Sequence, residues 1–143
     1  MSSYGPKEYK RTQVTTVDKG RLIVLLYDGA IKFIHQAKEC AELGDIESKC
    51  NNINKAMDII SELNHSLNMS DGGEIALNLR RLYQFLNDRL LEGKIKKETH
   101  YLVEVEKILS TLNEAWNEVV STPEAKESIP RHDTKSLKAS VKV

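Results

Sequence analysis

Glu62-Leu63-Asn64-His65 is the stretch most suggestive of chemistry, because a Glu-x-x-His pair sets a carboxylate and an imidazole on one helical face and forms part of a di-iron ligand set. A complete site needs a second such pair and two further glutamates, and the chain holds no second Glu-x-x-His. Helical projection also turns Glu62 and His65 away from the apolar line through Ile60 and Leu63, toward solvent. His35, His65, His100 and His132 are scattered, and the carboxylates one turn after two of them, Glu39 and Glu104, have the spacing of ordinary surface ion pairs. Cys40 and Cys50 lack the short paired spacing of a zinc site or a disulfide framework, and Cys40 projects onto an apolar stripe as a small core residue. Gly72-Gly73 makes neither a Walker nor a dinucleotide loop. Lys94-Ile95-Lys96-Lys97 and Arg80-Arg81 could meet phosphate, yet no aromatic residues alternate with them as a stacking platform requires. No catalytic group, metal, cofactor or nucleic acid is therefore expected, and interaction with another protein is the function left to examine.

The elements that carry these residues read as helices. All three prolines, Pro6, Pro123 and Pro130, lie near the ends, so Arg11 to Thr122 is free of the strongest helix breaker. A length of 143 residues, 40% of them hydrophobic and 29% charged, fits one globular domain. The formal net charge is zero but unevenly spread: residues 1–21 hold five Lys/Arg against two Asp/Glu, and 122–143 hold five against three. The middle is left with 11 basic and 16 acidic residues, an acidic body with basic ends. No h-region follows Met1 and no apolar run approaches spanning length, so a cytoplasmic protein without membrane insertion is expected.

The expected architecture is all-α: an N-terminal arm or short cap over 1–17, an antiparallel four-helix bundle over 18–121 and a flexible C-terminal tail over 122–143. Helix 1 is expected from Lys19 to Leu43, capped by Asp18 and stopped by Gly44, with Leu22, Leu26, Ala30, Phe33, Ala37 and Cys40 as its buried line. Helix 2, Ile46 to Leu67, shows a narrower line through Ile53, Ala56, Met57, Ile60, Leu63 and Leu67. Helix 3, Glu74 to Leu91, buries Ile75, Leu79, Leu82, Leu86 and Leu90 and is closed by Gly93 and the basic residues after it. Helix 4, Lys97 to Ser121, uses Leu102, Val105, Leu109, Leu112, Trp116 and Val120.

Two helices carry more apolar surface than one seam consumes. In helix 1 the run Leu22-Ile23-Val24-Leu25-Leu26-Tyr27 cannot fit a single stripe, and Val24, Tyr27 and Ile31 project beside or opposite the seam. In helix 3, Ala76, Tyr83 and Phe85 widen the apolar arc to roughly half the circumference, and Leu77 and Leu91 fall outside it. Contiguous excess of this kind marks a partner site or a self-association surface, unless the arm or the tail covers it.

The succession Tyr9…Gln13-Val14, Leu22-Ile23-x-Leu25-Leu26-Tyr27-Asp28-Gly29-Ala30-Ile31, Gly72-Gly73-Glu74-Ile75-Ala76-x-Asn78-Leu79-x-x-Leu82-Tyr83, Glu104-Val105 and Glu114-Ala115-Trp116 resembles the FliS family of flagellar secretion chaperones over about Tyr9 to Glu118. Where that family commonly has proline after the first cap, this chain has Lys19-Gly20. The resemblance implies an antiparallel four-helix bundle in the cytosol. It also implies that the protein holds the disordered C-terminal segment of flagellin, prevents premature polymerisation and delivers the cargo to the flagellar type III export apparatus. Val24, Tyr27 and Ile31 of helix 1 and Leu77, Tyr83 and Phe85 of helix 3 are then the expected partner-binding residues, with Tyr9 and Val14 of the arm competing with cargo or clasping it. The alternative is a helical adaptor or self-associating bundle that binds another folded protein, and the oligomeric state is left open.

Overall fold

The structure, a computed structural model, describes residues 16–70 and 72–121. They form four helices: α1 (Thr16–Glu42), α2 (Ile46–His65), α3 (Gly73–Ile95) and α4 (His100–Ser121). The all-α, four-helix expectation is what the described residues form. Residues 1–15, with Tyr9 and Val14, and the expected tail over 122–143 lie outside the described residues.

Side-chain contacts give the registers, and every adjacent pair is antiparallel. Gly29 approaches Ile59, and Asn52 reaches toward Cys40 Sγ, so α1 and α2 run in opposite directions. Lys94 donates to Asn54 and Asn87 to Ser61 between α2 and α3, while Arg89 meets Glu104 between α3 and α4. Asn113 donates to Asp28 at one end of the α1–α4 seam and Lys38 to Glu106 at the other, which closes the ring. α1 and α3 therefore stand on one diagonal, and α2 and α4 on the other.

The connections follow from local chemistry. Gly44 adopts φ +77°, the left-handed conformation that a helix C-terminus favours in glycine, and the Asp45 amide donates back to the Cys40 carbonyl at 2.9 Å. Asp45 then caps α2 by accepting from the Ser48 amide at 3.1 Å, which holds its carboxyl below the usual range. In that same first turn of α2 the buried Lys49 donates to the Lys96 carbonyl at 2.8 Å, satisfying an acceptor at the C-terminus of α3 with a cation.

Several boundaries and phases differ from expectation. α1 starts at Thr16, so Asp18 sits inside its first turn rather than at the cap. Its buried line runs through Ile23, Tyr27, Ala30, Ile34 and Ala37, with Leu26 alongside; Leu22, Phe33 and Cys40 are only half-buried. Six consecutive apolar residues leave the helical phase open, and neighbours decide it: Phe33 takes Lys55 over its ring at 5.4 Å on the α2 side. In α3 the core takes Ala76, Tyr83, Leu86, Leu90 and Gly93, and Ile75 is turned outward. Gly93 does not stop the helix. A Cβ there would lie 3.0 Å from Leu102 Cδ2 and 3.3 Å from Tyr101 Cβ, so its bare backbone lets α4 approach while α3 continues to Ile95. α4 begins at His100, leaving Lys97 in the connection.

Candidate functional site

Tyr27 and Tyr83 meet at the centre of the fold. Both are fully buried, and their hydroxyls share a hydrogen bond of 2.7 Å across the α1–α3 diagonal. The Trp116 ring lies 6.4 Å from that of Tyr27, and its side chain also hydrogen-bonds Tyr27, so the indole N–H donates to the phenol oxygen. Burial pushes the Tyr27 phenol up to about 12 and raises Tyr83 well above its ordinary value, so both are neutral in the folded protein. The trio fastens α1, α3 and α4 together. Of the expected partner-binding residues, these two tyrosines lie within the core, where a partner reaches them only if the helices separate.

The other expected residues lie on two separate faces. Val24 and Ile31 are half-buried against the core on the side of α1 shared with Asp28 and Lys38, the edge that meets α4. Leu77 (37% exposed) and Phe85 (44%) stand on α3. The diagonal relation of α1 and α3 keeps these faces apart.

α3 is where apolar surface remains. Among the described residues, ten large hydrophobic side chains are exposed, and five of them, Ile75, Leu77, Phe85, Leu91 and Ile95, lie on this one helix. The surplus expected on α1 has mostly gone into the core or its margin, leaving Leu25 as its exposed large hydrophobic side chain among those described. That distribution is a finding of the tertiary structure, since the two helices read alike in sequence.

One cluster beside Phe85 escaped sequence reasoning. The Arg89 guanidinium lies 5.9 Å from the Phe85 ring and 4.8 Å from the Tyr101 ring, and its Nε donates to Glu104 at 2.6 Å. Arg89 holds the Glu104 carboxyl below its usual range. Arginine and aromatic residues held rigid in this way recur at protein interfaces. The Phe85–Arg89 spacing of four was a legible signal, whereas Tyr101 joins only through the fold of the α3–α4 connection.

Groups proposed for chemistry stay dispersed. His35 pairs with Glu106 of α4 at 3.3 Å rather than with Glu39, and Glu104 is engaged by Arg89. His65 is exposed and Glu62 half-buried. Among the described residues, no three His, Cys, Asp or Glu side chains converge as a metal site, and no helix is long and apolar enough to cross a membrane.

Comparison with known proteins agrees with this interaction-type surface. The family described as "Flagellar protein FliS" matches residues 2–123. The Flagellar secretion chaperone FliS of Bacillus subtilis is 34% identical, over 80% of this chain and 84% of its own length. The protein of the same name from Salmonella typhimurium is 36% identical over 74% of this chain and 79% of its own. Flagellar secretion chaperone FliSB of Pseudomonas aeruginosa is 35% identical over 78% and 91%. With a helical bundle, an uncovered apolar helix and these relatives together, the chain belongs to the FliS family, whose members are flagellar secretion chaperones rather than enzymes.

Proposed function

We propose that this protein is a cytoplasmic export chaperone that binds the disordered C-terminal segment of flagellin, keeps it from polymerising and hands it to the flagellar export apparatus. The observation that carries this reading is the row of exposed apolar side chains on α3 of a bundle from a flagellar secretion chaperone family. A disordered segment that orders on binding needs long apolar contact to offset its loss of entropy, and it often docks as amphipathic helices. No bond is made or broken.

Leu77 and Phe85 are the exposed contacts in this reading, and Val24 and Ile31 form a second strip at the α1–α4 edge. A cargo that touches both strips must pass around the bundle. With helices about 10 Å across, that path is roughly 30 Å, which takes about ten extended residues or twenty helical ones. Tyr27 and Tyr83 act from within, by fixing α1 relative to α3. Tyr9 and Val14 belong to the arm that competes with cargo or clasps it.

Calorimetric titration of the full chain with a peptide of the last few dozen residues of the cognate flagellin tests this. Saturable 1:1 binding is expected, and Phe85→Ser should weaken it by about tenfold or more through lost apolar burial, with the fold retained because Phe85 lies outside the core. A folded sample that shows no saturable binding refutes the chaperone reading.

A further inference from the structure

The polar contacts described above between α3 and α4 gather at the connection joining them, where Arg89 meets Glu104 and both Arg89 and Lys96 lie over the Tyr101 ring. From there toward Ser121 the facing edges of the two helices are largely apolar. Counting back from Arg89 by helical turns gives Phe85, Leu82 and Ile75 on α3, and counting forward from Glu104 gives Ile108, Ala115 and Val119 on α4. Leu82 and Ile108 pack against the core, whereas Ile75 is 57% and Phe85 44% exposed, Ala115 is exposed and Val119 half-buried. These six residues line a shallow groove along the α3–α4 edge, about 15 Å long from Ile75 to Phe85, which the described residues leave open.

The chain itself supplies an occupant at the mouth of this groove. α4 ends at Ser121, level with the start of α3, and residues 122–143 continue from that point. Pro123 ends the helix and biases Thr122 toward an extended conformation. With about three residues spent on a reversal, an extended segment advancing about 3.3 Å per residue carries Ile129 and Pro130 roughly 16–20 Å back from Ser121. That is the level of Leu82, Phe85 and Ile108 at about 1.5 Å per helical residue. The same register sets Lys126 beside the exposed Glu114 and Glu118, and Asp133 beside Arg89. Charge agrees more generally, since 122–143 hold five Lys/Arg against three Asp/Glu while 22–121 hold 11 against 16. The N-terminal arm is worse placed, because it leads into α1, on the diagonal from α3. Tethering also raises the local concentration of the segment to about the millimolar range, so a contact too weak to hold a free peptide suffices.

We propose that residues 125–133 fold back along the α3–α4 edge and seat Ile129 between Leu82, Phe85 and Ile108. Phe85 is also a contact assigned to flagellin above, so tail and cargo exclude each other there. That consequence rests on the chaperone reading, whereas the docking itself does not.

Methyl NMR spectroscopy of the full chain, without flagellin, tests the docking. Nuclear Overhauser contacts from the Ile129 methyls to those of Leu82 and Ile108 are expected, unchanged on about tenfold dilution. Ile129→Asp should remove them and shift the Ile75, Leu82 and Ile108 methyls, while those of Ile53 and Ile60, buried on α2, keep their positions. An Ile129 that contacts neither Leu82 nor Ile108 overturns the proposal. Contacts that arise only between differently labelled copies overturn it too and give the groove to a second copy. Methyls that ignore Ile129→Asp but shift with the flagellin peptide likewise overturn it and give the groove to cargo. A chain that shows the contacts yet binds no flagellin peptide keeps the docking and refutes the chaperone reading, so the two failures are distinct. Where the peptide binds, Ile129→Asp should tighten it by about twofold or more, because a competitor is removed, and an unchanged affinity overturns the competition.

Discussion

Tyr27→Phe should destabilise the protein more than Tyr83→Phe, although the two substitutions remove the same atom. The asymmetry comes from connectivity. Tyr83 has the Tyr27 hydroxyl as its partner at 2.7 Å, whereas Tyr27 serves both Tyr83 and the Trp116 side chain. Losing the Tyr83 hydroxyl leaves Tyr27 still bonded to the indole, so the loss is that of one net hydrogen bond, about 1 kcal/mol. Losing the Tyr27 hydroxyl leaves the buried Tyr83 hydroxyl without this bond, at about 1–3 kcal/mol, and removes the Tyr27 contact of the Trp116 side chain as well, for a total on the order of 3 kcal/mol. The double variant removes both hydroxyls and leaves neither one unpaired, so it should be no worse than Tyr27→Phe alone, with a coupling of roughly 1 kcal/mol between the sites. Urea unfolding followed by circular dichroism measures all three, and for a domain of this size 1 kcal/mol moves the melting temperature by about 3–6 °C. Equal effects of the two single changes, or strict additivity in the double, would refute the idea that a shared hydrogen-bond centre joins α1, α3 and α4.

The same tyrosines make stability depend on alkaline pH. Their phenols are raised in the folded state, so their contribution is fully present below the unfolded value near 10 and is lost as pH rises from there toward about 12, the folded value of Tyr27. Two units correspond to on the order of 3 kcal/mol for Tyr27. Urea midpoints measured across that window should fall, and the Tyr27→Phe/Tyr83→Phe chain should show a flatter dependence; an equal slope in both contradicts the assignment. Gly93→Ala should lower stability by about 1 kcal/mol in thermal melts, against the gain expected of alanine in an open helix, because its Cβ would crowd the fully buried Leu102 at 3.0 Å. A more stable Gly93→Ala chain would show that α4 has room to move away.

Much of the fold was legible because helices announce themselves locally. The turn at Gly44-Asp45 and the narrow apolar line of α2 through Ile53, Ala56, Ile60 and Leu63 appear where spacing and turn chemistry set them. Phase was less legible where apolar residues are contiguous. In α1 a line through Leu22 and Phe33 and one through Ile23 and Ile34 are nearly equal by periodicity, and the second is the one buried. Gly93 read as a stop because a glycine near basic residues usually ends a helix, yet it serves a close helix–helix approach. Of the expected binding residues, Leu77 is exposed as the projection required, and Phe85 is exposed although it projected onto the widened apolar arc. Tyr27 and Tyr83 are buried, because an aromatic residue flanking a seam can join the core when another helix offers its hydroxyl a partner.

The sequence alone determined the helical class, the stops of the first two helices to within about two residues, the excess of apolar residues on two helices and, through its ordered motifs, the family. Each of these depends on neighbours within a turn or two along the chain, or on the order of residues itself. Only the tertiary structure decided which excess stays outside. Pairing α1 with both α2 and α4 consumed its surplus, while α3 kept Leu77, Phe85, Leu91 and Ile95 in water on the side away from every neighbour or at its margin. The physical reason is that burial is a property of two surfaces: periodicity gives the width of an apolar face, and only the neighbour that meets it fixes how much of that width is covered.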